Sequence, residues 1–208
     1  MKNIRQVWHE LAAVYSQNQL LIDKLWQEIE NAYSSSGRHY HNLTHIEHMV
    51  NQATGCKSQI ADFDALLFSI FYHDFVYNTL RNDNEEKSAV AANDALVTLG
   101  VPEEKIARCV KQILATKEHT ATQDSDTQYL LDIDLAILGE SSEIYQTYAR
   151  AVRKEYAVYP NFVYRKGRRK VIRHFLDMER IFKTDAFHSK YELQAKANLA
   201  HELMELSN

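Results

Sequence analysis

Two prolines and five glycines in a chain of 208 residues constrain this fold more than any other feature of the sequence. Average usage would supply about 10 prolines and about 15 glycines. Sheet-rich folds reverse direction every few residues and draw on both for their turns. A chain this poor in them is built from long segments, and the apolar spacing says which kind. Ile4, Val7, Leu11 and Val14, then Leu21, Leu25 and Ile29, follow the helical period. Hardly any segment alternates with period two; only residues 156–164 are ambiguous, because Pro160 interrupts them. The reading is an all-α fold of about eight or nine helices, with residues 1–208 forming one domain.

Local signals place most of the helix ends. Residues 3–33 read as one long helix or two, stopped by Ser34-Ser35-Ser36-Gly37. Asn42 or Thr44 caps a helix that runs to about residue 54. Asp62 or Asp64 caps the next, which carries Leu66, Leu67, Ile70 and Phe71 and ends near His73-Asp74. A helix over 85–99 stops at Gly100, and Pro102 suits the first turn of another whose apolar face is Ile106, Val110, Ile113 and Leu114. Residues 117–126 read as a polar loop, with further helices at about 127–137, 141–157, 161–181 and 190–206.

Charge and motif content exclude several function classes. Lys and Arg number 24 against 28 Asp and Glu, a net charge of −4, so the chain as a whole has no attraction for polyanions and no nucleic-acid partner is expected. The one basic cluster, Arg165-Lys166-Gly167-Arg168-Arg169-Lys170 with Arg173, reads as a solvated helix face. Cys56 and Cys109 lie 53 residues apart without a CxxC spacing, which argues for reduced thiols and against a cysteine-based zinc site. The first residues show no apolar signal segment, and the longest apolar run, near 65–71, is far short of a membrane span. A cytoplasmic protein with no membrane partner is expected. P-loop, GxGxxG, GxSxG and HExxH patterns are absent.

What remains is a histidine and carboxylate signal in three places: residues 38–49, residues 71–75 and residues 131–139. His73-Asp74 closes an apolar helix, and Asp134 stands among Leu130, Leu131, Ile133, Leu135, Ile137 and Leu138. A carboxylate in such surroundings needs a partner. Several imidazoles and two such carboxylates suggest a shared cation: Mn, Fe, Ni, Co or Zn, with Mg also admissible. His41 and His45 stand one helical turn apart, so either could face the ion, and Asp132 competes with Asp134.

The order His45, His73-Asp74, Asp134 resembles the HD superfamily of metal-dependent phosphohydrolases. More narrowly, the chain is similar to the bacterial group known as predicted metal-dependent HD-superfamily phosphohydrolases. The similarity also rests on Arg38-x-Tyr40-His41-Asn42-x-x-His45, Asn84-Glu85-x-x-Ser88-Ala89, Thr116-x-x-His119, Arg153-x-Glu155-Tyr156 and Gly167-Arg168, and it spans residues 3–206. The resemblance implies a helical core and one divalent ion held by His45, His73, Asp74 and Asp134. It prefers His45 because Met49-Val50 follow, and Asp134 because Leu135 follows, leaving Asp132 as a hydrogen-bond acceptor behind the ligands.

Hydrolysis of a phosphate ester at such a site implies a metal-activated water. Asp74 would hold the ion and orient that water, and Glu85 is the candidate base or water-positioning group. His119 and Lys117 would meet the phosphate or its developing charge, and Arg38 and His41 are candidates to bind the substrate anion, while Arg168 would reach either the substrate or a structural carboxylate. The expected partner is a small phosphorylated substrate, with a nucleotide the leading class; a homodimer is compatible with such folds. A catalytically silent nucleotide- or metal-binding module is the alternative. Helical di-iron oxygenases resembling myo-inositol oxygenase need two more histidines between the His-Asp pair and the last Asp, and only His119 lies there.

Overall fold

The computed structural model describes residues 3–120 and 122–207. Among these residues there are ten α-helices and no strand. In chain order they are α1 (Ile4–Ala12), α2 (Gln19–Tyr33), α3 (Leu43–Gly55), α4 (Phe63–Tyr72), α5 (Asn84–Leu99), α6 (Glu103–Ala115), α7 (Ser125–Leu135), α8 (Ser142–Glu155), α9 (Asn161–Asp177) and α10 (Asp185–Glu205). Two short 3₁₀ turns, Lys57–Gln59 and Ala136–Gly139, complete the set. The all-α expectation holds, with slightly more helices than expected because residues 3–33 form two. Internal packing divides the chain into two compact units, Met1–Leu130 and Leu131–Asn208. The sequence gives no hint of this division, since it falls inside α7, without glycine, proline or a linker.

In the first unit, α4 is the central element. Residues 65–72 of this helix are all buried, the pattern of a helix enclosed on every side. Trp8 of α1 packs edge-on against Phe68, Phe71 and Tyr72 with ring centroids 5.4–6.1 Å apart, and its indole N–H donates to the Ile22 carbonyl at 3.2 Å. Ser69, polar within that core, donates to Gln112 Oε1 at 2.6 Å. Asp62 starts α4, its side chain accepting from the Ala65 amide. Asp126 of α7, only 2 % exposed, accepts from the amides of Ala61 and Asp62, both at 2.8 Å, and fixes the entry to α4. Helix α5 ends at Gly100, whose φ of 84° suits glycine. The buried face of α6 is Ile106, Cys109, Gln112 and Ile113; Leu114, expected on that face, is 42 % exposed.

In the second unit, α9 stops at Asp177 and α10 begins at Asp185, earlier in both cases than the expected 181 and 190. The reason lies in two buried carboxylates. Glu192 accepts from the amides of Ile181 and Phe182, while Asp132 accepts from those of Lys183 and Thr184. Those four amides therefore serve a tight connection instead of a helix. Thr184 then caps α10 by accepting from the Phe187 amide. Gly139 seats the 3₁₀ turn against α10: a Cβ there would lie 2.5 Å from Cβ and 2.7 Å from the carbonyl oxygen of Tyr191.

Candidate metal centre

Helix α3 begins where Asn42 caps it, the side-chain oxygen accepting from the amides of Thr44 at 2.9 Å and His45 at 3.4 Å. This start puts His45 in register with Ile46, Met49, Val50 and Ala53, the buried face of the helix. His45 is therefore carried inward by the same stripe that packs α3, and is 4 % exposed. His73 follows the last turn of the enclosed α4 and is 1 % exposed. Its Nδ1 lies 2.9 Å from the Ile70 carbonyl, an oxygen that can only accept. Nδ1 thus carries a proton, which makes Nε2 the nitrogen available to ligate.

That Nε2 lies 3.4 Å from Nε2 of His45 and 3.2 Å from Oδ2 of Asp74. Ligand atoms of His45, His73 and Asp74 all fall within 4.8 Å of one another. At this spacing the two nitrogens share either a proton or a cation. Two nitrogens bound to one tetrahedral ion at about 2.1 Å each stand about 3.4 Å apart, so the spacing suits a shared ion. The mixed nitrogen and oxygen donors suit borderline divalent metals. This buried group could hold a metal ion.

The residues around it hold the ligands in place. Arg38, expected to bind substrate, donates through its guanidinium to the carbonyls of His41 at 3.2 Å, Asp74 at 2.6 Å and Phe75 at 2.8 Å. It thereby ties the segment before α3 to the end of α4, and its guanidinium carbon sits 4.8 Å from the Tyr33 ring centroid and 5.4 Å from that of Tyr77. Tyr33 also accepts from the Asp74 amide at 3.3 Å. His41 stands beside the group: its Nε2 is 3.9 Å from Asp74 Oδ2, and its ring lies 4.4 Å from that of Tyr77. Tyr33 and Tyr77 escaped the sequence reading because nothing in their spacing separates them from packing aromatics.

The other expected residues are distributed as follows. Glu85 lies in the first turn of α5, half-buried. Lys117 reaches the neighbouring Glu86 at 2.5 Å and the Asn82 carbonyl at 2.8 Å, which joins the end of α6 to the start of α5. His119 follows at a left-handed φ of 51°, an uncommon backbone state for a non-glycine residue. Asp134, half-buried in the last turn of α7, belongs to the second unit.

Asp132 accepts from the connection into α10: Oδ1 accepts from the Lys183 amide at 2.6 Å, and Oδ2 accepts from the Thr184 amide and hydroxyl, both at 2.7 Å. Its carboxylate anchors the start of α10, and burial raises its pKa in spite of those donors. Arg168 reaches a structural carboxylate, Glu202, one of the two roles expected of it. It is 8 % exposed and forms a two-point ion pair with Glu202, both bonds 2.8 Å, with the Tyr145 and Tyr148 hydroxyls at 3.4 Å. Its partner lies 34 residues away on α10, a pairing that no local pattern encodes. No protein-family model, no curated protein and no solved structure matches this chain.

Proposed function

We propose that the protein is a metal-dependent phosphohydrolase that cleaves a small phosphate ester, with nucleotides the leading substrate class. The observation that carries this reading is the convergence of His45, His73 and Asp74 at the buried ends of two helices. The order of these residues in the sequence, with the resemblance it bears to the HD phosphohydrolases, supplies the reaction class and nominates Asp134 as a fourth ligand. A divalent ion held there lowers the pKa of a bound water toward ~7 and polarises a phosphoryl oxygen.

The chain's own contribution is positional. The Ile70 carbonyl fixes the His73 tautomer, and Arg38 fixes the main chain at Asp74. In this reading Asp74 and Glu85 orient the attacking water, while His119 and Lys117 meet the charge that develops on the phosphate. The Glu86 carboxylate tethers the Lys117 ammonium close to the start of α5.

Metal analysis of the purified protein, beside His45→Ala and Asp134→Asn, tests the site. About one transition ion per chain, lost in both variants, is the expected result. Retention of the ion by His45→Ala would end the proposal. Turnover of a panel of nucleotides and sugar phosphates with Mn, Co, Ni, Zn or Mg then tests the reaction. Tight nucleotide binding without product would instead favour a silent binding module.

A further inference from the structure

Helix α9 carries six Lys and Arg residues, and no acidic residue occurs between 156 and 176. Two of the six serve the fold. Arg168 pairs with Glu202, and Arg165 donates to the Leu206 carbonyl at the end of α10. The other four are Lys166, Arg169, Lys170 and Arg173, and they form no hydrogen bond or ion pair among the described residues. Their spacing is i, i+3, i+4, i+7, which places all four on one face, with Ile172 buried on the other. Along the axis the row covers about 10 Å.

This arrangement works against helix stability. Each cation has like-charged neighbours three or four residues away, and every such pair repels. The chain handles charge differently elsewhere: on α10, Glu192 pairs with Lys196 four residues on, at 2.9 Å. The second unit has 13 Lys and Arg against 11 Asp and Glu, a net +2, while the first unit has 11 against 17, a net −6. The second unit thus differs in sign from the whole-chain value.

Two more observations say what kind of anion fits. Phe162 is 75 % exposed and precedes Lys166 by four residues, so a flat aromatic ring heads the cationic row. Gly167 sits in the helix interior, where glycine costs about 0.5–1 kcal/mol relative to alanine. A Cβ there would meet nothing within 4 Å, so packing within this chain does not require the glycine. It leaves a bare stretch of helix in an open groove of about 750 Å³, beside Lys166, Lys170, Arg173 and His174, with Asp177, the last residue of α9, also on its wall. Regular cations, a stacking ring and a smooth floor match a phosphodiester strand with unpaired bases. An anionic membrane suits the face less well: of the exposed apolar side chains of α9, Phe162 and Val163 lie in its first turn and Val171 lies away from the cationic row, so no apolar stripe runs beside the four cations.

We propose that the outward face of α9 binds single-stranded nucleic acid through Lys166, Arg169, Lys170 and Arg173, with a base stacked on Phe162. This proposal is independent of the metal centre. Fluorescence anisotropy with a labelled oligo-dT of about 16 nucleotides tests it. Four phosphate contacts predict a log–log salt slope of about −2.8, a loss of about 50-fold in affinity between about 50 and 200 mM salt.

Replacing all four cations by Gln is expected to abolish this salt-sensitive binding. The melting temperature should not fall, because the repulsion is relieved, and that confirms a folded variant. Phe162→Ala is expected to weaken binding about tenfold with the slope unchanged. Absence of binding at about 50 mM salt, or binding retained by the Gln variant, would overturn the proposal. So would capture by vesicles of phosphatidylcholine and phosphatidylserine in preference to the oligonucleotide.

Discussion

Two buried clusters of charged and polar side chains, one in each unit, are built on opposite principles. In the second unit, Arg168 lies between Glu202 and the hydroxyls of Tyr145 and Tyr148, and Tyr145 itself donates to Glu202. The guanidinium meets a carboxylate and two hydroxyls, and the one cation meets one anion. In the first unit, two imidazole nitrogens and a carboxylate oxygen converge within 4.8 Å, with the proton of His73 already committed to the Ile70 carbonyl. That cluster gathers ligand atoms that could hold a metal ion. The Arg168 cluster supplies its own counter-charge, whereas the group at His45, His73 and Asp74 offers donor atoms that a cation could share. Burial alone does not distinguish them, since His73 and Arg168 are both below one tenth exposed.

The largest effect that would break the comparison is expected at Glu202. Glu202→Ala leaves the Arg168 guanidinium buried without its counter-charge and should cost about 3–5 kcal/mol in urea denaturation, with metal content unchanged. A variant that keeps wild-type stability would show that the pair is dispensable. Gly139→Ala should cost about 3 kcal/mol, because its methyl group would collide with the backbone of α10, the helix that carries Glu202. Unfolding curves that overlay the wild type would contradict the close approach.

The open cluster predicts a ligand-dependent effect instead. Adding back the divalent ion at about a hundredfold excess over its Kd should stabilise the stripped protein by about 2.7 kcal/mol, read by calorimetry. The same addition should do nothing for His45→Ala. Equal stabilisation of both proteins would place the ion elsewhere.

The smallest effect concerns acid stability. Burial pushes the Glu192 carboxyl up, but the Phe182 amide, the Lys196 ammonium and the Ile181 amide outweigh it and hold the pKa below its ordinary 4.5. A folded pKa below the unfolded one gives stability that is present above about pH 4.5 and lost as pH falls through the folded value. Glu192→Gln should therefore flatten the acid limb of a plot of stability against pH. An unchanged limb would assign the acid sensitivity to other carboxylates.

Much of this was legible from local chemistry. Asn42 and Asp62 cap the helices that carry His45 and His73, and both were among the caps the sequence offered. The apolar run of α4 correctly announced a helix with little exposed surface, and so a His-Asp pair delivered to a buried end. Gly100 ends α5 where its neighbours place it. The helix ends near 177 and 185 were not legible, because the carboxylates that collect the intervening amides come from Asp132 and Glu192, far away in the chain or a full element later.

The three acidic residues of α7 state the division most plainly. Asp126, Asp132 and Asp134 are alike as residues, all set in or beside an apolar helix. Sequence alone determined that the chain is helical, where most helices begin, and that histidines and carboxylates cluster at their ends, because those properties depend on residues within a few positions of one another. Tertiary structure decided that Asp126 anchors α4, that Asp132 anchors α10 and that Arg168 closes on Glu202. Those partners lie 34 to 65 residues away, and a side chain's partner is set by which backbone amide or opposite charge the packed helices bring within 3 Å.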